Sequence, residues 1–168
     1  LLNVTNRKGS KVLIPFGGSD YIKVFVENNT TNRLSNLTAL ALKDVNSTMY
    51  GISALREKLD YKFNPTKGYS FQIETAVGNR KILADIQDNS STQQNPIYRA
   101  ETAINVYMAI FKKRSIHLGL NGSALMTENI YSNELSRIGG LRTIRGIDEE
   151  SIFASSYAVT TLEYRWIP

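Results

Sequence analysis

From the middle of this chain onward, apolar and polar side chains alternate with period two, and convincing helical spacing is absent. Tyr69, Phe71, Ile73, Thr75 and Val77 share one predicted face; Ser70, Gln72, Glu74 and Ala76 share the other. Residues 97–111 set Tyr98, Ala100, Thr102, Ile104, Val106, Met108 and Ile110 against Arg99, Glu101, Asn105 and Tyr107. The next run sets Ile116, Leu118, Leu120, Ala124 and Met126 against His117, Gly119, Asn121 and Ser123. The last sets Ala158, Thr160, Leu162, Tyr164 and Trp166 against Tyr157, Thr161, Glu163 and Arg165. Between residues 51 and 63, the spacing predicts Leu55, Leu59, Tyr61 and Phe63 on one face and Arg56, Lys58, Asp60 and Lys62 on the other, with Glu57 out of pattern.

The first fifty residues are less regular. Lys11 to Phe16 reads as a short strand stopped by Gly17-Gly18, and Tyr21 to Glu27 puts Ile22, Val24 and Val26 on one face. Asn28 to Ser35 reads as a polar turn region. Leu37 to Asp44 is apolar on both faces, so strand and short helix both stay open there.

The connections alternate in length. Residues 64–68 and 112–114 are tight turns, whereas 78–96 and 127–151 are long. Outer-membrane barrels carry short turns on the periplasmic side and longer loops outside. Tyr61, Phe63, Tyr69, Phe71, Tyr164 and Trp166 gather at the tight-turn level, as in one half of an interfacial aromatic girdle. Several runs exceed the roughly 5–6 residues of ordinary strands and approach the roughly 9–11 of a membrane span. The expected fold is therefore all-β: a partial antiparallel transmembrane β-barrel with seven or eight strands present. A sandwich core with aromatic ends is the competing architecture.

Composition narrows the function classes. The chain has 168 residues, no cysteine, a formal charge of +5 and a pI near 9.4. Without cysteine there is no disulfide and no thiolate chemistry. The basic residues are scattered, with Lys112-Lys113-Arg114 the one tight run, which fits a solvated surface or anionic lipid better than nucleic acid. No run of about 18 apolar residues occurs, which excludes a transmembrane helix but not a barrel. The chain starts at Leu1 rather than Met and stops at Pro168 directly after a strong strand, as expected of a piece of a longer protein.

Candidate chemistry is sparse. His117 is the only histidine and reads as a structural polar residue, and no motif places a nucleophile beside a base. Asp148-Glu149-Glu150 reads as a solvated loop face rather than a cation site. No enzyme activity, cofactor or metal is expected.

Three ordered segments carry a resemblance. Lys58-Leu59-Asp60-Tyr61 followed by Asn64-Pro65-Thr66-Lys67-Gly68 resembles an Asp…Phe-Pro-Thr-x-Gly strand-turn segment. Gly139-Gly140-Leu141-Arg142-Thr143-Ile144-Arg145-Gly146 resembles a Gly-Gly…(Val/Ile)-Arg-Gly-(Phe/Tyr) loop, and Leu162-Glu163-Tyr164 a Leu-Glu-(Tyr/Phe) segment. The set is similar to the C-terminal barrel of the BamA/TamA outer-membrane assembly superfamily, which includes the two-partner secretion transporters. The likeness covers residues 51–167. Ile147 stands where that family usually has an aromatic, so the aromatic packing that helps seat the loop does not carry over.

The resemblance implies that residues 1–168 belong to one outer-membrane barrel domain of about sixteen strands. It implies that the loop 127–151 folds into the lumen. Gly139, Gly140, Ile144, Arg145 and Gly146 would form the lumenal motif, Glu163 its anchoring carboxylate, and Pro65 and Gly68 the periplasmic turn. On the residues alone, Arg145 reads as one of three solvated loop arginines with Arg137 and Arg142. Alternation does put Glu163 on the polar face of its strand. The implied location is the bacterial outer membrane, and the implied function is insertion or assembly of other outer-membrane proteins. Implied partners are outer-membrane lipid, client outer-membrane or secreted proteins, periplasmic domains and accessory proteins, without nucleic acid. Two alternatives stand beside it: a two-partner-type secretion pore or a barrel tethering an exported domain, and a soluble β-sheet module that binds carbohydrate or protein.

Overall fold

The computed structural model describes residues 2–13, 20–32, 45–82, 93–132, 134–141 and 143–166. Six consecutive strands come first: β1 (Leu2–Leu13), β2 (Tyr21–Asn32), β3 (Val45–Leu59), β4 (Gly68–Ile82), β5 (Gln93–Phe111) and β6 (Arg114–Thr127). Two short strands follow, β7 (Ser136–Ile138) and β8 (Ile152–Ala154), and then β9 (Ser156–Trp166). The long strands make one antiparallel seven-stranded sheet in the order β1-β2-β3-β4-β5-β6-β9, while β7 and β8 form a separate hairpin. The protein is thus an all-β, up-and-down meander, and the sheet is open, with β1 and β9 at its edges. No helix occurs among the described residues.

The chain reverses between β3 and β4 through a built turn. Asp60 Oδ1 accepts from the backbone amides of Tyr61 (2.9 Å), Thr66 (3.0 Å) and Lys67 (3.1 Å), while Oδ2 accepts from the Thr66 hydroxyl. The amide of Asp60 donates to Lys67 O at 3.0 Å. Pro65 is buried inside this loop, and Asn64 takes a left-handed φ of 65°. Gly68 leaves the turn at φ 122°, where a side chain would also strike the carbonyl of Lys58. The hydrogen bonds outweigh the desolvation that acts against them, and the Asp60 carboxyl falls from its ordinary 3.8 to about 2.

The two faces of the sheet are unlike. On one, Val24, Tyr50, Ile52, Ile73, Val77, Tyr98, Met126, Leu162, Tyr164 and Trp166 lie exposed. On the other, Phe25, Glu27, Met49, Ser53, Glu74, Ala76, Arg80, Ile97, Ser115 and His117 are buried. A flat single-layer sheet would expose both faces equally. Among the described residues only a loop and a short hairpin cover the buried face, so its burial means that the sheet curls, with that face concave. Phe25, Met49, Ala76 and Ile97, one each from β2 to β5, form the apolar cluster there, backed by Leu125 of β6. The Phe25 ring lies over Gly51, its register partner on β3.

The observed strands revise several expectations. β1 begins at Leu2 and runs to Leu13, well ahead of the anticipated Lys11 start. β2 continues to Asn32, through part of the anticipated turn region. β4 extends to Ile82 and β5 starts at Gln93, so strand takes 78–82 and 93–96 of the expected long connection at 78–96, and 83–92 lie outside the described residues. The ambiguous stretch Leu37 to Asp44 lies outside the described residues.

The facing of β3 is also corrected. Leu55 pairs with Gln72, Arg56 with Phe71, Glu57 with Ser70 and Lys58 with Tyr69. Leu55, Glu57 and Leu59 therefore share the concave face, and Arg56 and Lys58 share the exposed apolar face. The strand holds one phase from Val45, with Tyr50 and Ile52 outside, and alternation then fixes everything to Leu59. Tyr61 and Phe63 are not strand residues at all; they lie in the turn, exposed. Glu57 is no longer out of pattern, and its amide donates to Asp20 Oδ1 at 2.9 Å.

Candidate functional site

The chemistry of the concave face is ionic. Arg99 of β5 grips Glu27 of β2 with a two-pronged guanidinium–carboxylate contact, both distances 2.8 Å. Arg7 of β1 reaches Glu74 of β4 at 2.6 Å, with its guanidinium 3.5 Å from the centroid of the Phe25 ring. Arg99 Nη2 also lies 3.5 Å from Glu74 Oε1. Each of the two short pairs joins strands three places apart in the sheet. They tie β1 and β2 to β4 and β5 across the hollow of the curve.

A second polar cluster sits where β5, β6 and β9 adjoin. Glu163 of β9 accepts through Oε2 from Arg165 Nε (2.9 Å) and Nη2 (2.8 Å). His117 of β6, opposite Glu163 in register, lies 3.3 Å from the same oxygen through Nδ1. Its Nε2 lies 2.9 Å from Asn105 Oδ1, and its ring stacks on Tyr107 at 4.5 Å. Glu163 Oε1 is left for the loop, and Arg145 Nη2 reaches it at 2.7 Å. Arg145 and Glu163, eighteen positions apart in the chain, are therefore in contact, although the Arg145 side chain is 71% exposed.

The loop that carries Arg145 has its own architecture. Its stem is the β7–β8 hairpin, in which Ser136, Arg137 and Ile138 pair with Ala154, Phe153 and Ile152. At the tip, Gly139 (φ 131°), Gly140 (φ 86°) and Gly146 (φ 89°) all take left-handed conformations. A side chain at Gly139 would collide with Asp148 O, so glycine is required there by space as well as by φ. The Thr143 hydroxyl closes the tip, accepting from the Gly139 amide and donating to the Gly139 carbonyl, both at 2.8 Å. Ile144 makes an isolated antiparallel bridge with Gly140. Ile147 is partly exposed, and its carbonyl accepts from the Gly140 amide at 3.0 Å.

A second anchor of this connection had no counterpart in the sequence reading. Arg80 of β4 is fully buried. It holds Glu134 Oε2 at 2.6 Å and donates to the carbonyls of Asn129 (3.3 Å) and Glu128, with the Tyr131 ring 5.5 Å away. Between these anchors, Ser136 and Arg137 of the hairpin face Gln72, Glu74, Asn121 and Ser123 of the sheet across a polar cavity of about 400 Å³.

The residues singled out from sequence thus fall into two places. Gly139, Gly140, Ile144, Arg145, Gly146 and Glu163 come together at the loop and β9, whereas Pro65 and Gly68 belong to the separate β3–β4 turn. Arg7, Glu27, Glu74, Arg80, Glu134 and Arg165 were not singled out. Their polarity on an alternating face was visible, but their pairing depends on register and curvature. Comparison with protein-family models finds no match to the chain, and no match is found among curated proteins or solved structures.

Proposed function

We propose that this sheet is part of the wall of a transmembrane β-barrel in the bacterial outer membrane, and that the barrel inserts or assembles other outer-membrane proteins. One observation carries the membrane half of the reading: the inverted distribution of polarity. Glu27, Glu74, Arg80 and His117 are buried on one face, while Val24, Met126, Leu162 and Trp166 are exposed on the other. A soluble sheet buries its apolar face; a barrel wall turns that face to lipid and lines its lumen with polar groups. The lengths of β3 to β6, 14 to 19 residues, suffice for a tilted span. Open edges are not tolerated in hydrocarbon, so in this reading further strands close the barrel beyond β1 and β9, to the roughly sixteen that the resemblance implies. The loop between β6 and β9 then lies in the lumen, held by Arg145 to Glu163.

The assembly activity rests on the resemblance of the Asp60 turn, the Gly139 to Gly146 loop and Leu162-Glu163-Tyr164. A secretion pore shares the wall and the Arg145–Glu163 contact, and the polar cavity between the hairpin and the wall favours it as the second reading. One preparation separates the two. The full-length barrel is reconstituted in vesicles, and the folding rate of an added outer-membrane protein is measured against empty vesicles. Faster folding supports assembly. Unchanged folding, with an ionic conductance in planar bilayers that rises in Arg145→Ala, favours the pore. A protein that stays soluble without detergent and does not enter the vesicles refutes both.

A further inference from the structure

The corrected facing of β3 puts Arg56 and Lys58 on the exposed apolar face, beside Phe71 and Tyr69. They are the beginning of a basic rim. Lys62 and Lys67 lie exposed in the turn that follows β3, and Lys112, Lys113 and Arg114 lie exposed at the turn between β5 and β6. The two turns adjoin, since Thr66 of the first and Phe111 to Arg114 of the second line one cleft. Large aromatic side chains stand at the same level, with Tyr61, Phe63, Phe111 and Trp166 all exposed. Trp166 is the register partner of Arg114.

The charge on this rim is not answered locally. Among the described residues the carboxylates at this end are Asp20, Glu57, Asp60 and Glu163, and Glu163 faces the concave side, where Arg165 and Arg145 hold it. Asp20 is buried and accepts the Glu57 amide, with Arg56 no closer than 3.9 Å; Asp60 is engaged by its own turn; Glu57 faces the concave side. The opposite end differs. The connection there carries Glu128, Glu134, Asp148, Glu149 and Glu150 beside its three arginines.

We infer that this rim binds the headgroups of anionic phospholipid in the leaflet at the tight-turn end. The inference rests on the membrane reading above and adds to it a leaflet and a lipid class. Long basic side chains on an apolar face lay their methylenes along hydrocarbon and lift the charge to the headgroups. Exposed aromatics prefer that same depth. Each lysine or arginine near such a surface gains attraction from anionic lipid, and no pairing with a shaped partner is needed.

The only tryptophan in the chain reports on this rim directly. The full-length protein, with any tryptophan outside residues 1–168 replaced by phenylalanine, is placed in vesicles of mixed phosphatidylcholine and phosphatidylglycerol, with bromine near the glycerol end of the chains of one lipid or the other. Quenching of Trp166 then measures which lipid is its neighbour. The expected result at low salt is at least about threefold stronger relative quenching by the brominated anionic lipid. That ratio falls toward one at on the order of 0.5 M salt. It also falls in Lys112→Gln/Lys113→Gln, and in Lys62→Gln/Lys67→Gln, exposed turn changes that lie outside the strands. Equal quenching by the two lipids at low salt overturns the headgroup inference and leaves the membrane reading standing. No quenching by either overturns both.

Discussion

Two arginines fasten the connection between β6 and β9 to the sheet, and their surroundings are opposite. Arg145 approaches Glu163 from the loop tip at 2.7 Å while its own side chain stays 71% exposed. Arg80 approaches Glu134 from the sheet at 2.6 Å and is fully buried, with the carbonyls of Glu128 and Asn129 as further acceptors. The distances are nearly equal, but the energetics are not. An exposed pair is worth about 0–1 kcal/mol because water and salt compete for both charges. Removing one partner of a buried pair costs about 3–5 kcal/mol, because the other charge is stranded. The base of the connection is therefore fastened strongly and its tip weakly. A tip held that way can leave Glu163 without the stem coming away.

The sharpest way to break this comparison is at Arg80. Arg80→Ala removes the paired cation of Glu134, leaving it the Tyr131 amide, and takes a donor from two backbone carbonyls, with an expected loss of about 3–5 kcal/mol. It is read as a lower unfolding temperature on semi-native gels, with faster proteolysis between residues 128 and 155. A loss no larger than that of Arg145→Ala would refute the division into strong base and weak tip.

The next effect in size is at Glu163. This carboxylate serves Arg165 and His117 as well as Arg145, so Glu163→Ala is expected to cost about 2 kcal/mol and Arg145→Ala about 0–1 kcal/mol. The double mutant should lie within a few tenths of a kcal/mol of Glu163→Ala alone. Fully additive losses would mean that the contact does not couple the two residues.

The smallest effect sharpens the contrast from outside the loop. The Asp60 turn sits at the far end of the strands, and its carboxyl is held down at about 2. Because the folded value lies below the ordinary 3.8, the stabilisation is complete above that pH and is lost as pH falls toward 2. The stability difference between the wild type and Asp60→Asn should narrow between about pH 4 and pH 2. A difference that is flat across that window would show that the turn does not depend on the charge.

Much of the sheet was legible because alternation acts locally. The facings of β4, β5, β6 and β9 follow from period two alone, and Phe71, Leu118 and Leu162 are exposed as the pattern places them. The Pro65 and Gly68 turn was legible from residue chemistry, although the part played by Asp60 in holding it was not. β3 was misread because residues 55–63 look like one run. The strand in fact stops at Leu59, and Asp60 turns Tyr61 and Phe63 out of register with it. Residues 78–82 and 93–96 look like loop in sequence because polar strand residues do so when their concave partners are unknown; Arg80 and Asn95 lie directly opposite each other in a ladder.

Taken by itself, the sequence determined which side chains share a face, where glycine must relieve the backbone, and that the strands run antiparallel between short and long connections. Those properties depend on neighbours within a few residues, which the chain spells out. Only the tertiary structure decided that Arg7 meets Glu74, that Arg99 meets Glu27 and that Arg80 receives Glu134. Each of these contacts joins residues 54 to 72 positions apart, and each is made by register and by curling of the sheet. The phase of β3 belongs with them. It is set by pairing with β4 along the whole strand, and it is what turns Arg56 and Lys58 outward.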